Sequence, residues 1–158
     1  MYTTENDLSE AARTEMIEIC KARLAEAVDL QMQCKYAHWN VKGPNFIALH
    51  ELFDKIHGEV EECVDLIAER IATLGGVADG RVRTAAYNSK LDEYPLEARS
   101  GEAHLRAVAN ALAQFGKLVR DDIDKSSELG DAASSDIFTA ICRATDKQLW
   151  FVEAHLTT

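Results

Sequence analysis

The sequence predicts an all-α protein, a bundle of four long helices with an extended link between the second and the third. Apolar side chains recur at three-and-four spacing through four long stretches, the period of a helix with one face in a core. The chain has only two prolines, Pro44 and Pro95, and both fall between those stretches. Residues 77–99 are too many for a tight turn between antiparallel neighbours. At 158 residues with 47% hydrophobic content, the chain suits one domain, 1–158, able to build a core without disulfides or structural metal.

Residues 1–7 carry no periodic pattern. From Leu8 to Tyr36, Met16, Cys20, Leu24, Ala27, Leu30 and Cys34 mark the apolar side of a first helix, ~40 Å long at ~1.5 Å per residue. Gly43 and Pro44 punctuate the chain, and Asn45 is placed to cap the next helix. That second helix runs from Asn45 to Leu74 with Leu49, Phe53, Ile56, Val60, Ile67 and Ile71 inward, and Gly75-Gly76 stops it. Within the crossover, TAAYNSKL can form a short extra helix. The third helix opens at Ser100 and ends near Leu129 before Gly130, and the fourth runs from Asp131 through Val152 to a tail ending in LTT. Four such helices with one long link between the second and third is the ferritin-like arrangement.

Charge narrows the function. A formal net charge of -10 argues against general affinity for nucleic acid or an anionic membrane, which basic side chains mainly supply, and favours cations as clients. Cys20, Cys34, Cys63 and Cys142 are scattered without a C-x-x-C pair, as expected of small buried side chains in a reducing cytoplasm. No run approaches the ~20 apolar residues of a membrane span, so a soluble protein is expected.

The second helix carries the chemistry. His50, Asp54, His57, Glu61, Asp65 and Glu69 are three or four apart and share one side. Solvated faces mix in Lys and Arg, yet from His50 to Arg70 only Lys55 and Arg70 appear. Imidazole nitrogen with carboxylate oxygen suits iron, manganese or zinc. His50 and Asp54 can share one ion, but Asp65 lies roughly 22 Å further along the axis at ~1.5 Å per residue. Two copies of this helix, packed antiparallel across a two-fold axis, bring the imidazole end of one to the acidic end of the other. The axis then falls near Gly58, whose missing side chain permits close approach. A di-iron centre inside each bundle needs Glu-x-x-His on two helices, and none of the five histidines has Glu three residues before it.

The run HWNVKGPNFIALHELFD from His38 to Asp54, followed by DLIAER at 65–70, LGG at 74–76 and DKQLW at 146–150, closely resembles the Dps family, the ferritin-like proteins called DNA-binding proteins from starved cells. The resemblance covers essentially the whole chain. It implies a hollow homododecamer with dinuclear iron sites at two-fold interfaces, His38, His50 and Asp54 coming from one subunit and Asp65 and Glu69 from its partner. It also implies that hydrogen peroxide oxidises paired Fe(II) there and that ferric mineral collects inside. Zinc is a possible substitute at the same ligands, in a shell with little oxidase activity. Trp39, beside a ligand, is either a donor that intercepts stray radicals or a packing aromatic at the interface.

In Dps-like shells the three-fold pores are lined from the joint between the last two helices, which makes Glu128, Asp131 and Asp136 candidates for an iron funnel. Helix capping is the competing role of Asp131. Glu51, Glu61 and Glu62 are candidates for mineral nucleation. His57 is an auxiliary contact or a surface residue, and His104 and His155 are structural or exposed. The chain departs from DNA-binding members with a lysine-rich arm: residues 1–20 hold Arg13 against Glu5, Asp7, Glu10, Glu15 and Glu18. Direct DNA binding is therefore not expected, leaving a nucleoid-structuring role as the disfavoured alternative.

Overall fold

The computed structural model describes residues 1–157. Its helices are α1 (Glu10–Asn40), α2 (Phe46–Thr73), α3 (Val82–Asn88), α4 (Gly101–Glu128) and α5 (Ala132–Glu153), with no strand among the described residues. Helix α1 packs along α2 and α4 along α5, while contacts of α1 with α4 and of α2 with α5 close the bundle. The short helix falls in the crossover, against α1. Among the described residues, no helix is long and apolar enough to cross a membrane.

Helix α1 begins at Ser9, whose Oγ accepts from the Ala12 N–H at 3.1 Å. It runs past the expected Tyr36 to Asn40, with Val41 extended, so His38 and Trp39 ride on its last turn. The breakers Gly43, with φ +96°, and Pro44 follow shortly after the extended Val41 and keep the chain from resuming the helix. Asn45 does not cap α2 as the sequence suggested. It adopts a left-handed φ of 64° and its side chain makes no cap bond; the Phe46 N–H instead closes a turn on the Gly43 carbonyl at 3.1 Å.

Helix α2 ends in a Schellman turn. Gly76 N–H donates to the Ile71 carbonyl at 2.8 Å and Gly75 N–H to that of Ala72 at 3.0 Å, with Gly75 at φ +89°. A Cβ on Gly75 would also meet the Tyr2 carbonyl at 2.7 Å. The N-terminal segment is laid over this turn: Tyr2 N–H donates to the Gly75 carbonyl at 2.6 Å, and the Arg13 guanidinium donates to that of Leu74 at 3.4 Å.

One continuous apolar core runs the length of the bundle, with Phe53, Phe115, Phe138, Ile67, Ile71 and Leu112 fully buried. Each such side chain contributes roughly 1.5–3 kcal/mol relative to exposure. At the α4–α5 joint the core turns polar. Arg23 on α1 pairs with Asp122 on α4 and with Glu26, and Arg70 on α2 pairs with Asp131. Cys20 lies in the field of Arg70, Asp122, Asp131 and Arg23, and burial pushes its thiol up to about 12. Burial does the same to Cys34 and Cys63, so these buried, unpaired thiols are poor nucleophiles.

Candidate metal centre

The five-residue link between α1 and α2 is short enough to set the end of one helix beside the start of the next. That brings His38 against His50, their rings stacked with centroids 3.7 Å apart and planes 22° from parallel. Each Nδ1 lies 2.8 Å from the other residue's backbone carbonyl. A carbonyl only accepts, so each Nδ1–H donates, and in the neutral rings that leaves the lone pair on Nε2. Metal-binding histidines usually need an outer partner to fix the ring and its tautomer. Here the two histidines do this for each other.

Asp54 stands one turn beyond His50, its carboxylate 3.9 Å from the His38 Nδ1. The Lys35 ammonium pairs with the same carboxylate oxygen. That bond holds the Asp54 carboxyl below the usual range; desolvation opposes it, and His38 and His57 add to the lowering. Lys35 therefore occupies the charge a cation would take. In Lys35→Met, binding of Zn(II) to the assembled protein is expected to tighten by a factor of a few, as for loss of an exposed competing ion pair. Calorimetric titration measures it, and unchanged affinity would show that Lys35 yields its place freely.

Asp65 and Glu69 follow on the outer side of α2, both exposed, one turn apart. Asp65 opens onto a shallow depression edged by Gln31, Glu61, Glu62 and Ala68. Within one chain, no group of three His, Cys, Asp or Glu among the described residues comes together to hold an ion. The structure thus separates the expected ligands into an imidazole end, His38, His50 and Asp54, and an acidic end, Asp65 and Glu69. Between them His57 is half-buried, and a Cβ on Gly58 would meet nothing within 4 Å. Trp39 is 60% exposed beside the imidazole end.

The other candidates part company. Asp131 is 2% exposed: it caps α5 through the Ser134 N–H at 3.0 Å and accepts from Arg70 at 2.7 Å. Burial raises its carboxyl, but Arg70 and Ser134 win and hold it below the ordinary range. Its oxygens are engaged inside the subunit, so Asp131 leaves the set of pore candidates and takes the capping role. Glu128 and Asp136 are exposed, and Asp136 edges a depression with Ser127, Ser135 and Thr139.

Two features went unread in the sequence. Lys35 sits one helical turn before His38, and that spacing was the available sign. Arg70, next to Glu69, reaches a partner 61 positions away, which no local pattern signals. Of the remaining histidines, His155 is exposed and His104 is fully buried.

A family model described as a ferritin-like domain matches residues 17–158. A protein of Agrobacterium fabrum named DNA protection during starvation protein is 41% identical over 155 residues, covering 98% of this chain and 96% of its own length. One of Haemophilus ducreyi, named fine tangled pili major subunit, is 35% identical over 139 residues, covering 88% of this chain and 73% of its own. Among solved structures, Dps of Mycobacterium smegmatis superposes with a TM-score of 0.94 at 33% identity, covering 100% of this chain and 95% of that one.

Proposed function

Because the chain belongs to the Dps family of ferritin-like proteins, we propose that it stores and detoxifies iron, oxidising Fe(II) preferentially with hydrogen peroxide at dinuclear sites across two-fold subunit interfaces. A hollow homododecamer holds the ferric mineral. The observation that carries this reading is the division of the ligands: two imidazoles clamped through Nδ1, with Nε2 outside the clamp, at one end of α2, and two exposed carboxylates ~22 Å away at the other. Each half lacks what the other supplies, and an antiparallel pair of α2 helices joins them twice.

The chemistry follows from the ligand types. Asp54, Asp65 and Glu69 bring negative charge that favours Fe(III) over Fe(II), and the His38 and His50 nitrogens hold iron more weakly. Two Fe(II) ions give one electron each, so peroxide and two protons become two waters without free hydroxyl radical. Glu128 and Asp136 serve as the cation funnel at the pores. Protection of DNA then comes from removing iron and peroxide, without tight contact: the net charge is -10, and the N-terminal segment is bonded to the end of α2. A reducing cytoplasm is the expected setting, where four unpaired cysteines are at home.

Stopped-flow absorbance tests the oxidation. Peroxide is expected to oxidise Fe(II) faster than dioxygen does, at two Fe(II) per peroxide, with Zn(II) inhibiting by occupying the same ligands. A protein that binds Zn(II) yet oxidises iron no faster than buffer would instead be a metal-holding shell. Gly58 gives a separate test of the interface. Leucine there has room within the subunit, so Gly58→Leu is expected to keep its helix content while light scattering shows the particle falling apart into smaller species. A full-size particle would move the two-fold axis away from Gly58.

A further inference from the structure

An aromatic cluster between α1, the crossover and α4 is not used by the ligand set. Tyr94, in the crossover after α3, lies with its hydroxyl 2.6 Å from Nδ1 of His104 on α4. Phenol is the stronger acid of the two, so its O–H donates and the imidazole carries its hydrogen on Nε2. His104 is 0% exposed, and its Nε2 makes no hydrogen bond of good geometry among the described residues, the Asn40 backbone being the polar group that faces the ring. The Tyr36 ring of α1 stands 4.8 Å from that of Tyr94 and 6.4 Å from His104, centroid to centroid. Tyr36 itself lies two residues before His38.

Burying an imidazole with one nitrogen poorly paired is costly, and a leucine would fill the core without that cost. What the imidazole adds is a base held against a phenol. A free phenol gives up an electron reluctantly because the proton has nowhere to go at that moment. Here the acceptor is already bonded. Burial pushes the Tyr94 phenol up, so it stays protonated, and holds His104 below the ordinary imidazole range, so it stays a free base at neutral pH.

We propose that Tyr94 and His104 form a redox-active pair that consumes the one-electron oxidants arising when peroxide meets a single Fe(II) ion rather than a pair, with the Tyr36 ring packed against it. The role rests on the ferroxidase reading above, but the pair itself does not. In the oxidising step hydroxyl radical takes one electron from Tyr94 and becomes hydroxide, while the phenolic proton passes to His104 Nδ1, leaving a neutral phenoxyl radical and an imidazolium. In the resetting step an Fe(II) ion gives one electron to the phenoxyl and becomes Fe(III), and the proton returns from His104. Each cycle removes one radical and oxidises one further Fe(II).

Two experiments on the assembled protein separate the pair from the iron chemistry. First, the metal-free protein is oxidised with photogenerated ruthenium(III) tris(bipyridine) and read by freeze-quench electron paramagnetic resonance. A long-lived tyrosyl radical is expected, forming more slowly in D2O than in H2O and absent in Tyr94→Phe. His104→Gln, which keeps an acceptor but no base, is expected to slow its formation about 10²-fold. The same radical in Tyr94→Phe, or equal rates in the two waters in the unaltered protein, overturns the proposal.

Second, Fe(II) is mixed with limiting peroxide in the presence of a spin trap. Tyr94→Phe is expected to oxidise iron at the unaltered rate but release several-fold more trapped hydroxyl radical. Equal trapping with normal iron oxidation overturns the protective role. Absence of iron oxidation in the unaltered protein, with the first experiment positive, overturns the ferroxidase reading and its radical source while the pair stands as a redox site.

Discussion

His50→Ala shells, and shells of Asp65→Ala with Glu69→Ala, are each expected to oxidise Fe(II) with peroxide at least about 10²-fold more slowly than the unaltered protein. The magnitude comes from the ligands' neighbours: losing only a residue that orients a metal ligand typically costs ~10–100-fold, so losing the ligand costs no less. His50→Ala does damage twice. It removes one Nε2 donor, and it also strips His38 of its stacking partner, though the backbone carbonyl of residue 50 still holds the His38 Nδ1–H. His38→Ala is expected to act the same way, because the clamp is reciprocal. The two carboxylates of the acidic pair make no hydrogen bond or ion pair among the described residues, so their loss should leave the subunit fold and thermal midpoint unchanged. Stopped-flow oxidation with circular dichroism on the same samples checks both statements. Near-normal oxidation in either shell would mean the ligands were assigned wrongly.

Arg23→Met is expected to lower subunit stability by about 3–5 kcal/mol, the effect of removing one partner from a buried ion pair. Arg23 is 6% exposed and holds two carboxylates that are more deeply buried still, Asp122 at 0% and Glu26 at 1%. Methionine fills much of the volume but leaves both carboxylates without their buried partner; Lys125 reaches Asp122, at 3.1 Å, and Lys90 is the remaining group that favours an ionised Glu26. The pH dependence has a definite sign. Burial raises the Glu26 carboxyl above its ordinary value, with Arg23 opposing the rise. A carboxyl raised in the folded state binds its proton more tightly there than in the unfolded chain. Its ionised form therefore costs stability at neutral pH, and the cost is relieved as pH falls through the raised value. Without Arg23 the rise is larger, so the deficit of Arg23→Met should shrink as the pH falls from neutral toward the ordinary carboxylate range. Denaturant unfolding at fixed protein concentration measures this, and a deficit that grows on acidification would assign the buried charge elsewhere.

Local pattern carried most of this molecule. The helical period placed α2, α4 and α5 to within a residue or two, and the breakers Gly75, Gly76 and Gly130 marked their ends. The end of α1, at Asn40, lies beyond the last residues of the apolar period. Asn45 looked like a cap by residue type, but the Gly43-Pro44 turn delivers it in a left-handed conformation that no side-chain pattern records. Helix spacing also put His50, Asp54, Asp65 and Glu69 on one side of α2 and showed that one copy is too long to close a site.

Pairings between distant residues were out of reach. Arg23 with Asp122, Arg70 with Asp131 and Tyr94 with His104 join different elements, and the choice between pore and cap for Asp131 waited on Arg70. The mutual clamp of His38 and His50 belongs here too. The motif gave both residues, while the shared carbonyls came from the way α1 and α2 meet.

Mixing the two inactive chains asks whether the ligands of one site come from two polypeptides. Unfolded His50→Ala chains and Asp65→Ala/Glu69→Ala chains are combined in equal amounts and refolded together. Random pairing makes half the two-fold pairs mixed, and each mixed pair keeps one of its two sites with every ligand present. Peroxide-driven Fe(II) oxidation should therefore return to about a quarter of the unaltered rate, although neither parent shell is active. If each chain builds its whole site alone, every chain in the mixture is defective, and the rate will stay at the level of the parents.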